Sequence, residues 1–297
     1  MYFASDNAGP AHPKVLEALV AANTGYAMGY GADPIMEEVR QMVRDMFEAP
    51  DAAVYLTATG TAANAILLAT LANPWDTIFC APMAHIQEDE CNAPEFYSNA
   101  KLTLVPAVDA KMTPDALRAA MLAEQTRGVH GPQRGPVSIT QVTEKGTIHT
   151  VDEIRALSDV AREFGSKVHL DGARFCNALV ALGCTAAEMT WKAGVDVAVF
   201  GGTKNGCMGV EAVIFFDPAK AQGLPFRRMR SGHLLSKHRY LAAQMNGYLR
   251  DGLWRTLART ANATCARLVE GLRGAGVDIE TDTPANLLYF SLPRRVH

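Results

Sequence analysis

Short apolar runs and amphipathic stretches alternate along most of the chain. Apolar residues recur at helical spacing from Ile35 to Phe47, and a stripe of this kind predicts a helix with one buried face. Continuous apolar runs predict buried strands at 53–56, 77–81, 102–106, 137–142, 168–170, 195–200, 211–216 and 286–292. Strands that alternate with helices in this way indicate an α/β fold, with a mostly parallel sheet and helices on both of its faces.

Capping residues mark several of the helix boundaries. Thr113 precedes Pro114 and is expected to start a helix, and Thr150 with Glu153 forms a capping box for a helix that runs to residue 165. Further helices are predicted at 13–22, 236–250 and 253–275. A length of 297 residues accommodates a large α/β domain, predicted for 1–250, and the start of a smaller α/β unit, predicted for 251–297.

Two of the predicted strands end in residues that carry chemistry. The run 168–170 stops at Asp171, and the run 195–200 is followed by GGTK, which ends at Lys204. Ligands of open α/β sheets bind at the carboxyl ends of the strands, so this acid and this lysine can face one pocket. A lysine there can form a Schiff base with an aldehyde, and a carboxylate can keep a pyridine nitrogen protonated, as pyridoxal phosphate chemistry requires. The alternative is a surface lysine and a helix-capping aspartate.

The stretch TATGTAAN at 57–64 lies between a predicted strand and an apolar helix. Small residues at such a helix start leave backbone N–H groups and the helix dipole free to hold an anion, so Gly60 and Thr61 mark a candidate phosphate site. The stretch is neither a Walker loop nor a dinucleotide fingerprint, because it contains no Gly-Lys-Ser/Thr and no GxGxxG. Ordinary helix capping by Thr61 is the alternative interpretation.

His85 follows another of the predicted strands, with Glu88, Asp89 and Glu90 close behind it. An isolated histidine is more often structural than catalytic. A histidine placed after a strand end of an α/β fold can instead face the site and stack its flat ring on another flat ring.

Composition narrows the classes of function. The net charge of -3 provides no global basic field, so neither nucleic acid nor an anionic membrane is an expected partner. The start of the chain has neither a basic nor an apolar leader region, which predicts a cytoplasmic protein. The six cysteines form no CxxC and no metal-ligand spacing, so we interpret them as reduced packing thiols and expect no metal site.

Five motifs occur in a characteristic order, namely SDNAGP, GYGADP, YLTATGTAAN, HLDGAR and GGTKNG. With these motifs the sequence resembles the L-threonine aldolases, within the fold-type-I pyridoxal-phosphate enzymes of the aldolase and β-eliminating-lyase group. The resemblance implies an aspartate-aminotransferase-like fold and the cofactor pyridoxal 5'-phosphate. It also implies cleavage of an L-β-hydroxy-α-amino acid to glycine and an aldehyde.

The resemblance further implies roles around the cofactor. Lys204 looks like the Schiff-base lysine and Asp171 like the partner of the pyridine nitrogen. His85 would stack on the ring and act on the substrate hydroxyl, and Gly60 with Thr61 would hold the phosphate. The full set implied for the cofactor is Gly60, Thr61, His85, Asp171, Arg174, Thr203 and Lys204.

For the substrate, the resemblance implies that Arg174 pairs with the α-carboxylate, with help from Ser5. Glu144 is the candidate in the turn 143–146, where many threonine aldolases have a histidine that holds the substrate hydroxyl. This departure leaves phenylserine or another bulky substrate open beside threonine. Family members form dimers or tetramers, and on that basis Tyr30 and the basic segment near Lys237 are expected to reach a partner's site.

Family members continue past the strand at 286–292 with a further arginine for the substrate carboxylate. The chain is therefore expected to be a fragment, a truncated gene product or a protein with weakened substrate binding. Two other functions stay open. A β-eliminating lyase or aminotransferase would release an α-keto acid, and a truncated, non-catalytic binding module would retain the fold without the reaction.

Overall fold

The computed structural model describes residues 5–292. The strands are β1 (Ala53–Thr57), β2 (Asp76–Cys80), β3 (Lys101–Leu104), β4 (Ala107–Val108), β5 (Lys111–Met112), β6 (Gln133–Thr140), β7 (Val168–Asp171), β8 (Val197–Gly201) and β9 (Glu211–Phe215). The helices are α1 (Pro13–Ala22), α2 (Pro34–Met46), α3 (Gly60–Leu71), α4 (His85–Glu88), α5 (Ala93–Ser98), α6 (Pro114–Ala123), α7 (Val151–Glu163), α8 (Phe175–Leu182), α9 (Leu224–Arg230), α10 (Arg239–Leu249) and α11 (Leu253–Gly274).

Seven of the strands form one sheet, in the order β1-β9-β8-β7-β6-β2-β3. The pairs β2–β3, β2–β6, β6–β7 and β7–β8 are parallel, whereas β9 is antiparallel to both β8 and β1. The prediction of a mostly parallel sheet is confirmed. Because β9 alone runs against the other strands, the carboxyl ends of β1, β6, β7 and β8 lie along one edge of the sheet.

Helices cover both faces of this sheet, as predicted. Successive side chains of a strand point to opposite faces. Val197 and Val199 of β8 therefore pack with the apolar residues of α3, while Ala198 and Phe200 pack on the other face. That second face carries residues of α2, α7, α8 and α10. The sheet is therefore buried between two apolar layers, and the polar residues at its carboxyl edge lie where those layers end.

Several predicted boundaries agree with the structure. The helix at 13–22 is confirmed, Thr113 caps α6, and Thr150 with Glu153 forms both bonds of the capping box at the start of α7. Among residues 5–292, no helix is both long enough and apolar enough to cross a membrane.

The strand predicted at 286–292 is wrong. One isolated antiparallel bridge, between Ile279 and Phe290, is formed in the part of this segment that the structure describes. Polar side chains at 281–286 bind other parts of the chain instead, since Thr281 donates to the backbone oxygen of Lys145 over 2.7 Å and Asn286 donates to Asp6 over 3.2 Å. Before it, α11 packs against α8 along an amphipathic face. The division of the chain at residue 250 stays a prediction.

Candidate active site

Lys204 lies in a short turn that follows the end of β8. Asn205 anchors this turn, because its side-chain amide donates to the hydroxyl of Tyr248 over 2.6 Å and to the backbone oxygen of Trp254 over 2.9 Å. The hydroxyl of Thr203 accepts the backbone N–H of Val210 over 3.1 Å. At the strand end, a Cβ on Gly201 would lie 2.6 Å from the backbone oxygen of Ala173, so the chain after β8 can approach the chain after β7 only through a glycine.

Asp171 ends β7, the strand that pairs with β8. Its side chain is buried, and both carboxylate oxygens accept hydrogen bonds. Oδ1 accepts the backbone N–H of Ala173 over 3.1 Å, and Oδ2 accepts Nδ2 of Asn64 over 2.9 Å. These donors stabilise a buried negative charge at a fixed position on the edge of the sheet.

A cavity of about 320 Å³ opens at this edge. Six of the residues that the sequence singles out line it, and they are Gly60, Thr61, His85, Asp171, Thr203 and Lys204. This volume is within the range of small-molecule sites. The pairing of β7 with β8 therefore brings the acid and the amine, 33 positions apart in sequence, to one pocket.

The amino end of α3 forms another wall of the cavity. Thr59 caps the helix by accepting the backbone N–H of Ala62 over 3.1 Å, so the capping residue is Thr59 rather than Thr61. The first N–H groups of a helix have no partner inside it and carry the positive end of the helix dipole. A Cβ on Gly60 would meet no atom within 4 Å, so the backbone there is open to a ligand. This wall is suited to a phosphate group.

His85 begins α4 and is held by two carboxyl groups. Its backbone N–H donates to Oε1 of Glu144 over 2.6 Å, and its Nδ1 lies 2.8 Å from Oε1 of Glu90. The hydrogen bond to Glu90 raises the pKa of the His85 imidazole, and the charge of Asp171 acts in the same direction. Burial raises the pKa of Glu144 to about 7. The ring is thus fixed at one edge of the cavity and is readily protonated.

Glu211 is a further cavity residue, to which the sequence analysis assigns no role. It begins β9, accepts the backbone N–H of Gly202 over 3.0 Å and is almost completely buried. Burial raises the pKa of this carboxyl to about 7, which the nearby charge of Lys204 partly opposes. A charged residue directly before the apolar run AVIFF was the available sequence signal.

Arg174 makes a two-pronged ion pair with Asp6. Its Nε lies 2.8 Å from Oδ2 and its Nη2 lies 3.1 Å from Oδ1, and each side chain is 16% exposed. This is the geometry with which a guanidinium binds a carboxylate. The structure therefore pairs Arg174, three residues after the last residue of β7, with the chain's own acid Asp6.

Three other predicted substrate residues lie outside the cavity wall in the described part of the chain. Ser5 is exposed and its hydroxyl accepts the backbone N–H of Asn7, which itself lines the cavity. Glu144 accepts the backbone N–H of His85 and does not line the cavity. Tyr30 is 57% exposed, and its backbone N–H donates to the oxygen of Ser236 over 3.1 Å.

Comparison with known proteins gives the family. The model of the family described as Beta-eliminating lyase matches residues 2–292. The chain belongs to this family. The chain is 41% identical over 293 residues to the low specificity L-threonine aldolase of Pseudomonas aeruginosa. The matched region covers 98% of this chain and 84% of that protein. A second relative of the same name, from a Pseudomonas species, is 40% identical over the same shares.

Solved structures of other proteins have the same fold. The threonine aldolase of Leishmania major superposes with a TM-score of 0.92 at 27% identity, over 97% of this chain and 83% of that one. An aspartate aminotransferase of Thermus thermophilus shares the fold. It superposes with a TM-score of 0.73 at 14% identity, over 94% of this chain and 74% of that one. The predicted family, the aspartate-aminotransferase-like fold and the lyase class are confirmed.

Proposed function

We propose that the protein is a pyridoxal-phosphate-dependent aldolase that cleaves L-β-hydroxy-α-amino acids to glycine and an aldehyde. The observation that carries this proposal is the meeting of Lys204, Asp171 and the amino end of α3 in one cavity. The relatives named L-threonine aldolases support the same reaction. Substrates of the threonine, allo-threonine and phenylserine types are included.

The chemistry of the cavity fits pyridoxal 5'-phosphate. Lys204 provides an amine for the aldehyde, the buried carboxylate of Asp171 suits a protonated pyridine nitrogen, and the N–H groups of Gly60 and Thr61 suit the phosphate. His85 provides a flat ring at the cavity edge. When bound, the cofactor supplies a ring that accepts the electron pair of a broken bond at the substrate Cα.

The residues of the chain supply the remaining chemistry. Lys204 would hold the cofactor through its side-chain amine, and Asp171 would keep a proton on the ring nitrogen. The imidazole of His85 then removes the proton of the β-hydroxyl while the Cα–Cβ bond breaks and the aldehyde leaves. The proton that His85 takes from the hydroxyl balances the proton that Cα needs to become glycine.

Arg174 is proposed to bind the substrate carboxylate. For that purpose its guanidinium exchanges Asp6 for the carboxylate of the amino acid, since both present the same pair of oxygens. Asp6 would hold the arginine side chain in position between turnovers. Ser5, next to Asp6 in sequence, is proposed to assist, and Glu144 and Thr203 are proposed to support His85 and Lys204 respectively.

The second candidate is a β-eliminating lyase with the same cofactor and lysine. The family description favours it, since the family is described as Beta-eliminating lyase. The two reactions differ in product, because elimination or transamination gives an α-keto acid whereas the aldolase gives glycine and an aldehyde.

The experiment measures the cofactor and the products together. The purified protein with pyridoxal 5'-phosphate is expected to show a visible absorbance band that is absent from Lys204→Ala and present in Lys192→Ala. Lys192 is a matched control, because it lies on the surface in an ion pair with Glu48. Incubation with threonine, allo-threonine and phenylserine is expected to release glycine and the corresponding aldehyde. Keto acid in place of glycine would select the lyase, and no cofactor band would select a non-catalytic module.

We also propose that the protein acts in the cytoplasm as a homodimer or homotetramer, with Tyr30 reaching the partner's site. The loop at 25–34 and the segment at 226–239 lie together through the bond from Tyr30 to Ser236, and they expose Tyr26, Met28, Phe226 and Met229. Exposed apolar side chains in one region are typical of a contact between protein chains. Light scattering of the purified protein measures the number of chains, and a monomer at all concentrations would reject the assembly.

A further inference from the structure

Four side chains from three parts of the chain form one hydrogen-bonded row at the cavity edge. Nδ1 of His85 lies 2.8 Å from Oε1 of Glu90, and the same oxygen accepts Nδ2 of Asn64 over 2.8 Å. Asn64 also donates to Oδ2 of Asp171 over 2.9 Å. The row therefore runs from the histidine at the cavity wall to the acid at the end of β7.

Glu90 is the ionisable member of this row that has no role in the proposed reaction. Its side chain is 0% exposed, so it contacts neither solvent nor the open part of the cavity. A buried carboxyl is costly unless hydrogen bonds compensate for the lost hydration. Both contacts are made by the single oxygen Oε1, which accepts Nδ2 of Asn64 and lies 2.8 Å from Nδ1 of His85. The geometry is that of a carboxylate that orients an imidazole.

The contact determines which nitrogen of His85 can act. Nδ1 faces Glu90, and among residues 5–292 Nε2 has no hydrogen-bond partner. A carboxylate next to Nδ1 accepts a hydrogen bond from an N–H at that nitrogen, so the neutral ring keeps its hydrogen there. Nε2 is then left with its lone pair.

We propose that Glu90 is a positioning residue that keeps the proton of neutral His85 on Nδ1 and so presents Nε2 to the cavity as a proton acceptor. The inference rests on the proposed aldolase function, in which His85 removes the proton of the substrate hydroxyl. Asn64 donates to both Glu90 and Asp171. One amide group therefore fixes the position of the acid, and through Glu90 that of the base His85.

The charges around His85 define the expected pH behaviour. Glu90 and Asp171 favour the imidazolium, and Lys204 and burial oppose it, with Glu90 making the largest contribution to a raised pKa. Glu144 contacts the backbone of His85 and not its ring. A raised pKa means that His85 becomes a base only above that value, so the rate should rise with pH through it.

The test compares Glu90→Gln with the matched control Glu88→Gln, two residues away on the exposed side of the same segment. In holoenzyme with 15N-labelled histidine, the ring nitrogens of His85 are followed by NMR against pH, with His85→Gln identifying the signals. The pH profile of kcat for aldehyde release is measured on the same proteins.

Removal of the charge at Glu90 is expected to lower the pKa of His85 and to reduce the share of the Nδ1–H form. The acid limb of the kcat profile should move to lower pH, and the plateau should fall by about tenfold or more, because proton transfer to a positioned base contributes roughly 10²–10⁴ in rate. Glu88→Gln should match the parent in the pKa of His85, the share of the Nδ1–H form and the pH profile of kcat. Glu90→Asp retains the charge but withdraws it by one methylene, so it should lie between the parent and Glu90→Gln.

Unchanged ring signals and an unchanged acid limb in Glu90→Gln would overturn the proposal. A lower plateau without either shift would also overturn it, since that pattern reports a structural role alone. If Glu90→Gln does not fold, Glu90→Asp decides by the same readouts. A parent enzyme that releases no aldehyde would reject the aldolase function, while the NMR comparison would still decide the role of Glu90.

Discussion

Asn64 and Asp171 lie 107 positions apart in sequence, and Nδ2 of Asn64 donates to Oδ2 of Asp171 over 2.9 Å. The same nitrogen serves Glu90, so one buried amide holds two carboxyl groups in place. The pair joins the first turns of α3, at the proposed phosphate wall, to the end of β7. The position of the acid is therefore tied to the position of the helix.

Asn64→Ala is expected to weaken both the fold and the cofactor site. Two buried carboxyl groups would each lose a donor, which costs about 1–3 kcal/mol for each unsatisfied group. We expect the free energy of unfolding, measured by urea titration, to fall by about 2 kcal/mol or more, together with weaker cofactor affinity. Asn23→Ala removes an exposed asparagine and should cost much less. Equal losses for the two variants would contradict the proposed role of Asn64.

Arg174→Lys is expected to raise KM for the amino-acid substrate with a smaller effect on cofactor binding. A lysine retains the charge but cannot form two parallel bonds to a carboxylate. Loss of one charged hydrogen bond is worth about 1.5–3 kcal/mol, or roughly tenfold and more in KM.

The control for this variant is Arg118→Lys. Arg118 makes a similar two-pronged pair, with Glu163, far from the cavity on α6 and α7. It should leave KM unchanged. If Arg174→Lys also leaves KM unchanged in steady-state kinetics, the carboxylate of the substrate binds elsewhere.

Glu211→Gln is expected to change how stability depends on pH. Burial raises the pKa of Glu211 from 4.5 to about 7 in the folded protein, so the folded state binds a proton that the unfolded state has already lost between these values. The stabilisation is complete below pH 4.5 and is lost as pH rises to about 7, with a size on the order of 3 kcal/mol. Glutamine stays neutral, so the variant should gain stability relative to the parent between pH 5 and pH 8.

Urea unfolding of the cofactor-free protein at these two pH values measures that gain. Glu270→Gln is the control, because Glu270 is exposed on α11. A difference between Glu211→Gln and the parent that is the same at pH 5 and pH 8 would mean that Glu211 is ionised throughout this range.

Gly172→Ala is expected to destabilise the protein by about 2 kcal/mol or more, because its Cβ would overlap the backbone oxygen of Val199 and crowd Phe175. The strain falls directly after Asp171, so cofactor affinity should also decrease. In contrast, Gly271→Ala on α11 meets nothing within 4 Å and should stabilise the helix by about 0.5–1 kcal/mol. Thermal unfolding should show a lower Tm than the parent for Gly172→Ala and a higher Tm for Gly271→Ala. An unchanged Tm in Gly172→Ala would contradict the prediction.

The contents of the site were predictable where a local pattern ends a strand or begins a helix. Asp171, Lys204 and Gly60 follow apolar runs within four residues, and the rule that parallel strands present their carboxyl ends to a ligand places them together. The capping box of Thr150 with Glu153 and the helix at 13–22 are local in the same sense. The strand predicted at 286–292 does not form, and its local apolar pattern could not reveal this, because strand pairing depends on partners far away in the chain.

The amino-acid sequence by itself determined the alternation of strands and helices, the family, and the acid and amine of the site, since each depends on short-range pattern or on motifs in order. Tertiary structure alone decided that Asn64 and Glu90 support His85 and Asp171, that Arg174 pairs with Asp6, and that Glu211 shares the cavity. The physical reason is that a buried polar side chain must find a hydrogen-bond partner, and the fold can supply that partner from any distance along the chain.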